Sequence, residues 1–199
     1  RVLTASDGGG GTPGAAMAAG AGSFPLKFNN PTKLRTFFES TQSRVPGDTN
    51  GGLYGGRTTG ANAVQAGNSL TVTVDITDSF WNLATGTTQQ VSLTCDDPFA
   101  VVTPGSQVLT TSGTYAVTFK RAGNTVCWAS ATDGASQPYP AVDSGTVVNV
   151  SPGAAQRLLV TVPGESFSQG SPTGKAGPAS PEVAGTAFGS GPVVAAELP

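Results

Sequence analysis

The sequence predicts an all-β chain folded as a β-sandwich, on three observations. Between Ala66 and Asp133 the apolar residues alternate: Leu70, Val72, Val74 and Ile76 interleave with Thr71, Thr73, Asp75 and Thr77. Period 2 marks a strand with one buried face. Further short runs rich in Val, Thr and aromatics follow at Val91 to Cys95, Gly113 to Lys120 and Thr125 to Ala131, each closed by Gly, Asp, Asn or Pro. Finally, 28 Gly and 15 Pro among 199 residues favour turns over helices, and no helical period appears between the strands.

Composition narrows the function classes. Charged residues are only 11% of the chain, and polarity comes from Thr, Ser, Asn and Gln, as in secreted and surface-exposed β proteins. The ten Lys and Arg form no patch and the net charge is −2, which argues against nucleic acid. No apolar run reaches about 18 residues, so no membrane span is expected. No signal peptide and no initiator Met are present, which reads as a processed or trimmed chain. With no His in the sequence, Ser-His-Asp and Cys-His catalysis are ruled out, and no cofactor motif appears. The expectation is not an enzyme.

Taken in order, residues 1–30 form an arm. Asp7 to Ser23 is Gly/Ala-rich with little to bury. Ser23 to Phe28 differs: Phe24, Leu26 and Phe28 share one face at period 2, and Pro25 suits an edge strand. An apolar strand on a flexible tether can pair with another subunit or pack as the first strand of its own domain. Residues 31–150 form the sandwich. It opens with Lys33 to Ser40, continues through a Gly-rich connection whose Leu53 and Tyr54 are read as a plug folding back on the sandwich end, and closes with Val147 to Ser151.

The two cysteines test this arrangement. Alternation puts Val91, Leu93 and Cys95 on one face of their strand, and Cys127, Ala129 and Ala131 on one face of theirs, with Cys95 ending its strand and Cys127 opening its own. If the strands are antiparallel neighbours, like the third and sixth of an immunoglobulin-type sandwich, a disulfide forms. The alternative is two unpaired buried thiols. Two Cys without His cannot complete a zinc site. Trp128 points away from the cysteine face and is a candidate contact for the arm, the tail or a neighbour. Trp81 reads as a packing residue.

Residues 151–199 repeat the opening of the sandwich. Leu158 to Val162 followed by Glu165-Ser166 echoes Leu34 to Phe38 followed by Glu39-Ser40. Ala184-Gly185 echoes Ala66-Gly67, 118 residues earlier. A period near 120 fits one immunoglobulin-like domain per repeat. The second copy stops after its second strand, and two or three strands cannot enclose a core. Leu158, Leu159, Val160, Val162, Phe188, Val193 and Val194 are therefore expected to stay wet unless something else covers them. They join Phe24, Leu26, Phe28 and Trp128 as inter-subunit candidates.

Ala66 to Asn82, with an Ala-Gly pair opening a strand that ends in an Asp-x-x-x-Asn turn (Asp78 to Asn82), resembles the second strand of bacterial immunoglobulin-like repeats of the invasin/intimin type. Gly113 to Gly134, ending Ala131-Thr132-Asp133, resembles their fifth and sixth strands. Pro152 to Ser166 is similar to the join between repeats. The resemblance covers about residues 31–199 and implies an immunoglobulin-like β-sandwich; the fold expected is that sandwich with an extended N-terminal arm, which has no match, and an incomplete second repeat. It also implies a secreted or surface-anchored stalk, adhesin or fibre component. The cysteine pair, the truncated repeat and the Gly51 to Gly56 loop depart from that pattern and favour assembly.

The reading is thus a structural subunit of an extracellular filament or cell-surface assembly, self-associating into a homopolymer by strand exchange. The alternatives are an adhesin or carbohydrate-binding module of a longer surface protein, contacting a surface glycan or other surface proteins, and a virion surface or decoration protein. Asp75, Asp78, Asp96 and Asp97 are the only calcium candidates, at one end of the sandwich; Asp96-Asp97-Pro98 also reads as plain turn chemistry.

Overall fold

The computed structural model describes residues 2–5, 20–23, 27, 30–38, 42–47, 56–58, 60–86, 88–131, 146–185 and 193–197. The fold is all-β. Fifteen strands are assigned among the described residues.

Nine of them build a two-sheet sandwich. One sheet runs β3 (Pro31–Phe38), β5 (Ser69–Asp78), β9 (Ser112–Thr118), β7 (Val101–Thr103) in spatial order. The other runs β4 (Val64–Gln65), β11 (Thr146–Ser151), β10 (Gly123–Ala131), β6 (Gln89–Cys95), β8 (Ser106–Leu109). All neighbouring pairs are antiparallel except β11 with β4.

The core lies between the sheets and follows the alternation in the sequence. Leu34 and Phe38 of β3 and Val72, Val74 and Ile76 of β5 face Val91 and Leu93 of β6, Cys127 and Ala129 of β10, and Val148 and Val150 of β11. Tyr115 of β9 joins the two layers. Its ring is in the core and its hydroxyl donates to the Val91 carbonyl of the opposite sheet at 2.8 Å. A buried phenol needs such an acceptor.

Cys95 and Cys127 are register partners on β6 and β10, with Cα atoms 4.0 Å apart and the sulfurs bonded. One detail differs from the alternation argument: Cys127 does not open its strand but sits in the middle of it, because β10 begins at Gly123 and pairs with β11 from that residue on.

The outer face of β3 and β5 is also buried, which alternation did not anticipate. The described residues 42–47 and 56–58 lie against it as a strap. Asp75, fully buried, accepts from Arg35 Nη2 at 2.6 Å and from Arg44 Nε and Nη2 at 2.9 Å each. Arg35 Nη1 donates to the Gly56 carbonyl at 2.9 Å, and Arg57 donates to the Thr36 carbonyl. Gly56 has φ +76, and a Cβ there would lie 2.6 Å from the Trp81 ring. Only glycine fits that approach. Leu53 and Tyr54, read as a plug, lie outside the described residues.

The remaining strands form three further two-stranded sheets. β1 (Val2–Ala5) pairs antiparallel with β2 (Gly20–Ser23), so two stretches of the arm are strands of one small sheet. After the sandwich, β12 (Arg157–Thr161) pairs with β15 (Val193–Glu197), and β13 (Ser166–Phe167) pairs with β14 (Lys175–Ala176).

Candidate functional site

The segment after Gly153 holds the residues that most need a partner. Its local structure copies the start of the sandwich. Glu39-Ser40 precedes Glu165-Ser166 by 126 residues, and Ala66-Gly67 precedes Ala184-Gly185 by 118. Moving β3 by the first interval and β5 by the second carries the pair Leu34–Ile76 onto Val160–Val194, and Val160 is the partner of Val194 in the β12–β15 ladder. The turn is copied as well: Gly67 has φ +91 and Gly185 φ +88. Equal register and equal turn chemistry come from equal sequence spacing.

The environments of the two pairs differ. Leu34 faces the core and is 1% exposed, whereas its counterpart Val160 is 47% exposed and Leu158, on the same side, is 79% exposed. On the other side of β12, Leu159 is 7% exposed and Thr161 is buried, matching the strap-covered side of β3. β12 therefore has its outer side covered and its core side bare. The expectation that the whole tail stays wet is corrected at Leu159, which is buried, and at Val162, which is half-buried. Val183 and Phe167 are exposed.

In the first unit, the Ala66–Gly67 turn is held by the strands that close the sandwich: Ala66 N donates to the Ser151 carbonyl and Gly67 N to the Phe119 carbonyl. Among the described residues after Pro152, no strand holds the place of those closing strands. Val193 and Val194 take part in the β12–β15 ladder through their backbones. Phe188 and the arm residues Phe24, Leu26 and Phe28 lie outside the described residues.

The tail is not loose from the sandwich. Gly170, with φ +80, lies so close to the turn after β9 that a Cβ would meet Arg121 N at 2.9 Å and Lys120 C at 3.0 Å. That turn is held from beneath by buried Asp97, whose Oδ2 accepts from Lys120 N at 2.7 Å and Arg121 N at 3.0 Å. Within the loop, Glu165 Oε2 accepts from Lys175 Nζ at 2.8 Å and Val162 N at 3.1 Å. Those bonds hold its carboxyl below the usual range, the Lys175 bond being the larger cause.

The four aspartates named as calcium candidates do not converge, and among the described residues no group of three acidic, His or Cys side chains could hold a metal. Each carboxylate already has donors. Asp75 is occupied by Arg35 and Arg44. Asp78 Oδ1 accepts from Phe80 N and Asn82 N and its Oδ2 from Asn82 Nδ2, which closes the Asp-x-x-x-Asn turn and places Trp81 at φ +63. Asp96 takes Thr125 Oγ1 and Val126 N, and Asp97 takes the β9 turn and Phe99 N. A carboxylate so bonded serves turn geometry rather than a cation.

Trp128 sits half-buried on the middle strand of the five-stranded sheet, facing outward opposite Thr94. Trp81 is buried, with Lys33 Nζ 4.4 Å from its ring centroid. Sequence reasoning missed the Arg35–Asp75–Arg44 cluster and Gly170, because partners 31 to about 50 residues apart leave no periodic trace.

No family model matches the chain, and no curated relative does. Among solved structures, it is similar to domains 5–6 of the S-layer protein SbsC at 18% identity and a TM-score of 0.34, over 52% of this chain and 46% of that one. It is also similar to a glycosyl hydrolase family 2 member from Bacteroides cellulosilyticus DSM 14838 at 13% identity and a TM-score of 0.39. That match covers 70% of this chain and 17% of that one, so the chain spans less than half of either relative. Likeness at this level says nothing about what this chain does.

Proposed function

We propose that this chain is a structural element of an extracellular or cell-surface assembly. Its second, half-built β-sandwich is completed by strands contributed from outside the described residues. The observation that carries this is the contrast between Leu34 and Val160. They hold equivalent places in equivalent ladders, yet one is buried and the other is open to water. Leaving Leu158, Val160 and Val183 exposed forgoes roughly 1.5–3 kcal/mol for each such side chain, and an uncovered strand pair invites pairing. Strand addition supplies both the ladder and the apolar cover.

Three further features support this reading. A formed disulfide suits an oxidising compartment. The strand orders β3-β5-β9-β7 and β11-β10-β6 correspond to the two sheets of an immunoglobulin-type sandwich. One departure is that β7, beside β9, comes before β8, beside β6, in the chain. Finally, the acidic groups that could serve hydrolysis are engaged in turns or ion pairs.

The test is sedimentation of the intact chain against chains lacking 1–30 or 154–199. Self-association that is lost on removing either segment is expected. Three monomers of equal stability would contradict it.

A second reading is that of a module from a longer tandem array of surface domains, with the closing strands supplied by the same polypeptide. It rests on the same repeat register. In that case a chain extended by one full repeat is monomeric and melts higher than 1–199.

A further inference from the structure

Two units joined by one short linker move against each other unless a second contact stops them. Here β11 ends at Ser151 and β12 begins at Arg157, so the covalent link is residues 152–156. The second contact is backbone against backbone. Gly170, at φ +80, lies against the turn after β9, where a Cβ would meet Arg121 N at 2.9 Å, Lys120 C at 3.0 Å and Arg121 Cα at 3.1 Å.

Both sides of that contact are stiff. On the sandwich side, Phe119 is fully buried and roots the turn in the core, and its carbonyl accepts from Gly67 N at 2.8 Å. Asp97 Oδ2 holds the next two amides, and its Oδ1 accepts from Phe99 N at 3.0 Å. On the tail side, Ser168 N donates to the Gly174 carbonyl at 2.8 Å and Ser171 N to the Ser168 carbonyl at 3.2 Å, while β13 and β14 pair across the same loop. Glu165 ties the loop to the end of β12 through Val162 N and Lys175 Nζ. A Cβ on Gly164 would lie 2.6 Å from the Pro178 carbonyl oxygen, and one on Gly177 would lie 2.7 Å from that of Gly164. The path from the core to β12 therefore has no slack segment beside the linker. We infer that this joint is a positioning device, with Gly170 as its positioning residue: it fixes the direction in which the open side of β12, with Leu158 and Val160, is presented to an incoming copy.

This rests on the assembly reading above and adds how the second unit is aimed. An added strand has to meet a ladder at a set angle and register. A unit already held at that angle gives up no orientational freedom when the partner arrives, whereas a swinging one gives it up at every contact. A polymer also needs the same operation between each copy and the next. A fixed joint repeats that operation, and a loose one offers many that do not propagate. Glycine is what permits the approach, because any side chain at position 170 has to push the loop off the turn.

The test places spin labels at Val108→Cys on β8 and Val160→Cys on β12, with the native disulfide left oxidised, and reads the distance distribution in the dilute intact chain. Gly170→Val is compared with the parent and with Gly86→Val. Gly86, at φ +77 with nothing within 4 Å of an added Cβ, controls for backbone strain alone. Melting checks the folding of the sandwich, and sedimentation of the unlabelled chains reads association. The expected result is one narrow distance in the parent and in Gly86→Val, a several-fold broader distribution in Gly170→Val, and self-association weakened at least tenfold in Gly170→Val alone. A parent as broad as Gly170→Val overturns the fixed joint. A narrow parent and a broad variant that associate equally well overturn the positioning role and leave the assembly reading standing. A parent that is narrow but monomeric at every concentration overturns the assembly reading, and with it the role given to the joint.

Discussion

Asp75 shows what one side chain does for the outer face of the sandwich. It is fully buried and neutralises Arg35, itself buried, while drawing Arg44 of the strap onto the sheet. Removing the carboxylate leaves a buried guanidinium without its ion partner, which costs about 3–5 kcal/mol. Asp75→Ala is therefore expected to lower the denaturation midpoint by that amount, and the Asp75→Leu/Arg35→Met double variant to lose less than the single one. Urea melts of the three chains check this. Tyr115 gives the pH counterpart. Burial pushes its hydroxyl pKa up, against a smaller lowering by the Gln107 side-chain bond. The folded state thus keeps the proton longer than the unfolded state. The contribution is fully present below about pH 10 and is lost as pH rises through the raised pKa. Tyr115→Phe is expected to cost about 1 kcal/mol at neutral pH, because the Val91 carbonyl loses its donor. Its stability should then fall less steeply than that of the parent above pH 10 in parallel thermal melts. Neither residue's partner was legible in the sequence. Tyr115 and Asp75 both obey the alternation of their strands, but alternation says only which face they take. The strap that meets Asp75 and the carbonyl that meets Tyr115 come from other parts of the chain.

At the scale of elements, the long strands were legible and the short ones were not. β5, β6, β9 and β10 carry seven to ten residues of period-2 pattern, enough to fix both existence and face. β7, β13 and β14 have two or three residues each and are made by their neighbours rather than by their own sequence. The joint between the sandwich and the second unit belongs to this unreadable class. It depends on Gly170 lying against the Lys120–Arg121 turn, which Asp97 holds rigid. Gly170→Val introduces a side chain where φ is +80 and backbone atoms lie within 3.1 Å. The loop should lift, so that proteolysis at the linker 152–156 accelerates several-fold while the melting transition of the sandwich is unchanged. Equal cleavage rates in the parent and the variant would mean that the contact does not hold the joint.

For the whole molecule, the internal repeat is the feature the sequence carried furthest. Two dipeptides, Glu-Ser and Ala-Gly, recur at intervals of 126 and 118 residues, and those intervals alone reproduce the register of the β12–β15 ladder. What the sequence could not say is which side of that ladder lies open. Apolar residues occupy both sides of β12, so only the fold separates buried Leu159 from exposed Leu158 and Val160. The open side is the one that faces a core in the first unit, and it is the side that the proposed strand addition would cover. No helix among the described residues is long and apolar enough to cross a membrane.

Thiol labelling at position 158 tests this most directly. Leu158→Cys, introduced singly and with the native disulfide left oxidised, is labelled with a maleimide in the dilute chain 1–199 and in the concentrated or native assembled material. The account predicts fast labelling in the dilute chain and at least tenfold slower labelling once assembled, as arriving strands cover the core side of β12. Equal, fast labelling in both states would mean that nothing closes the second unit.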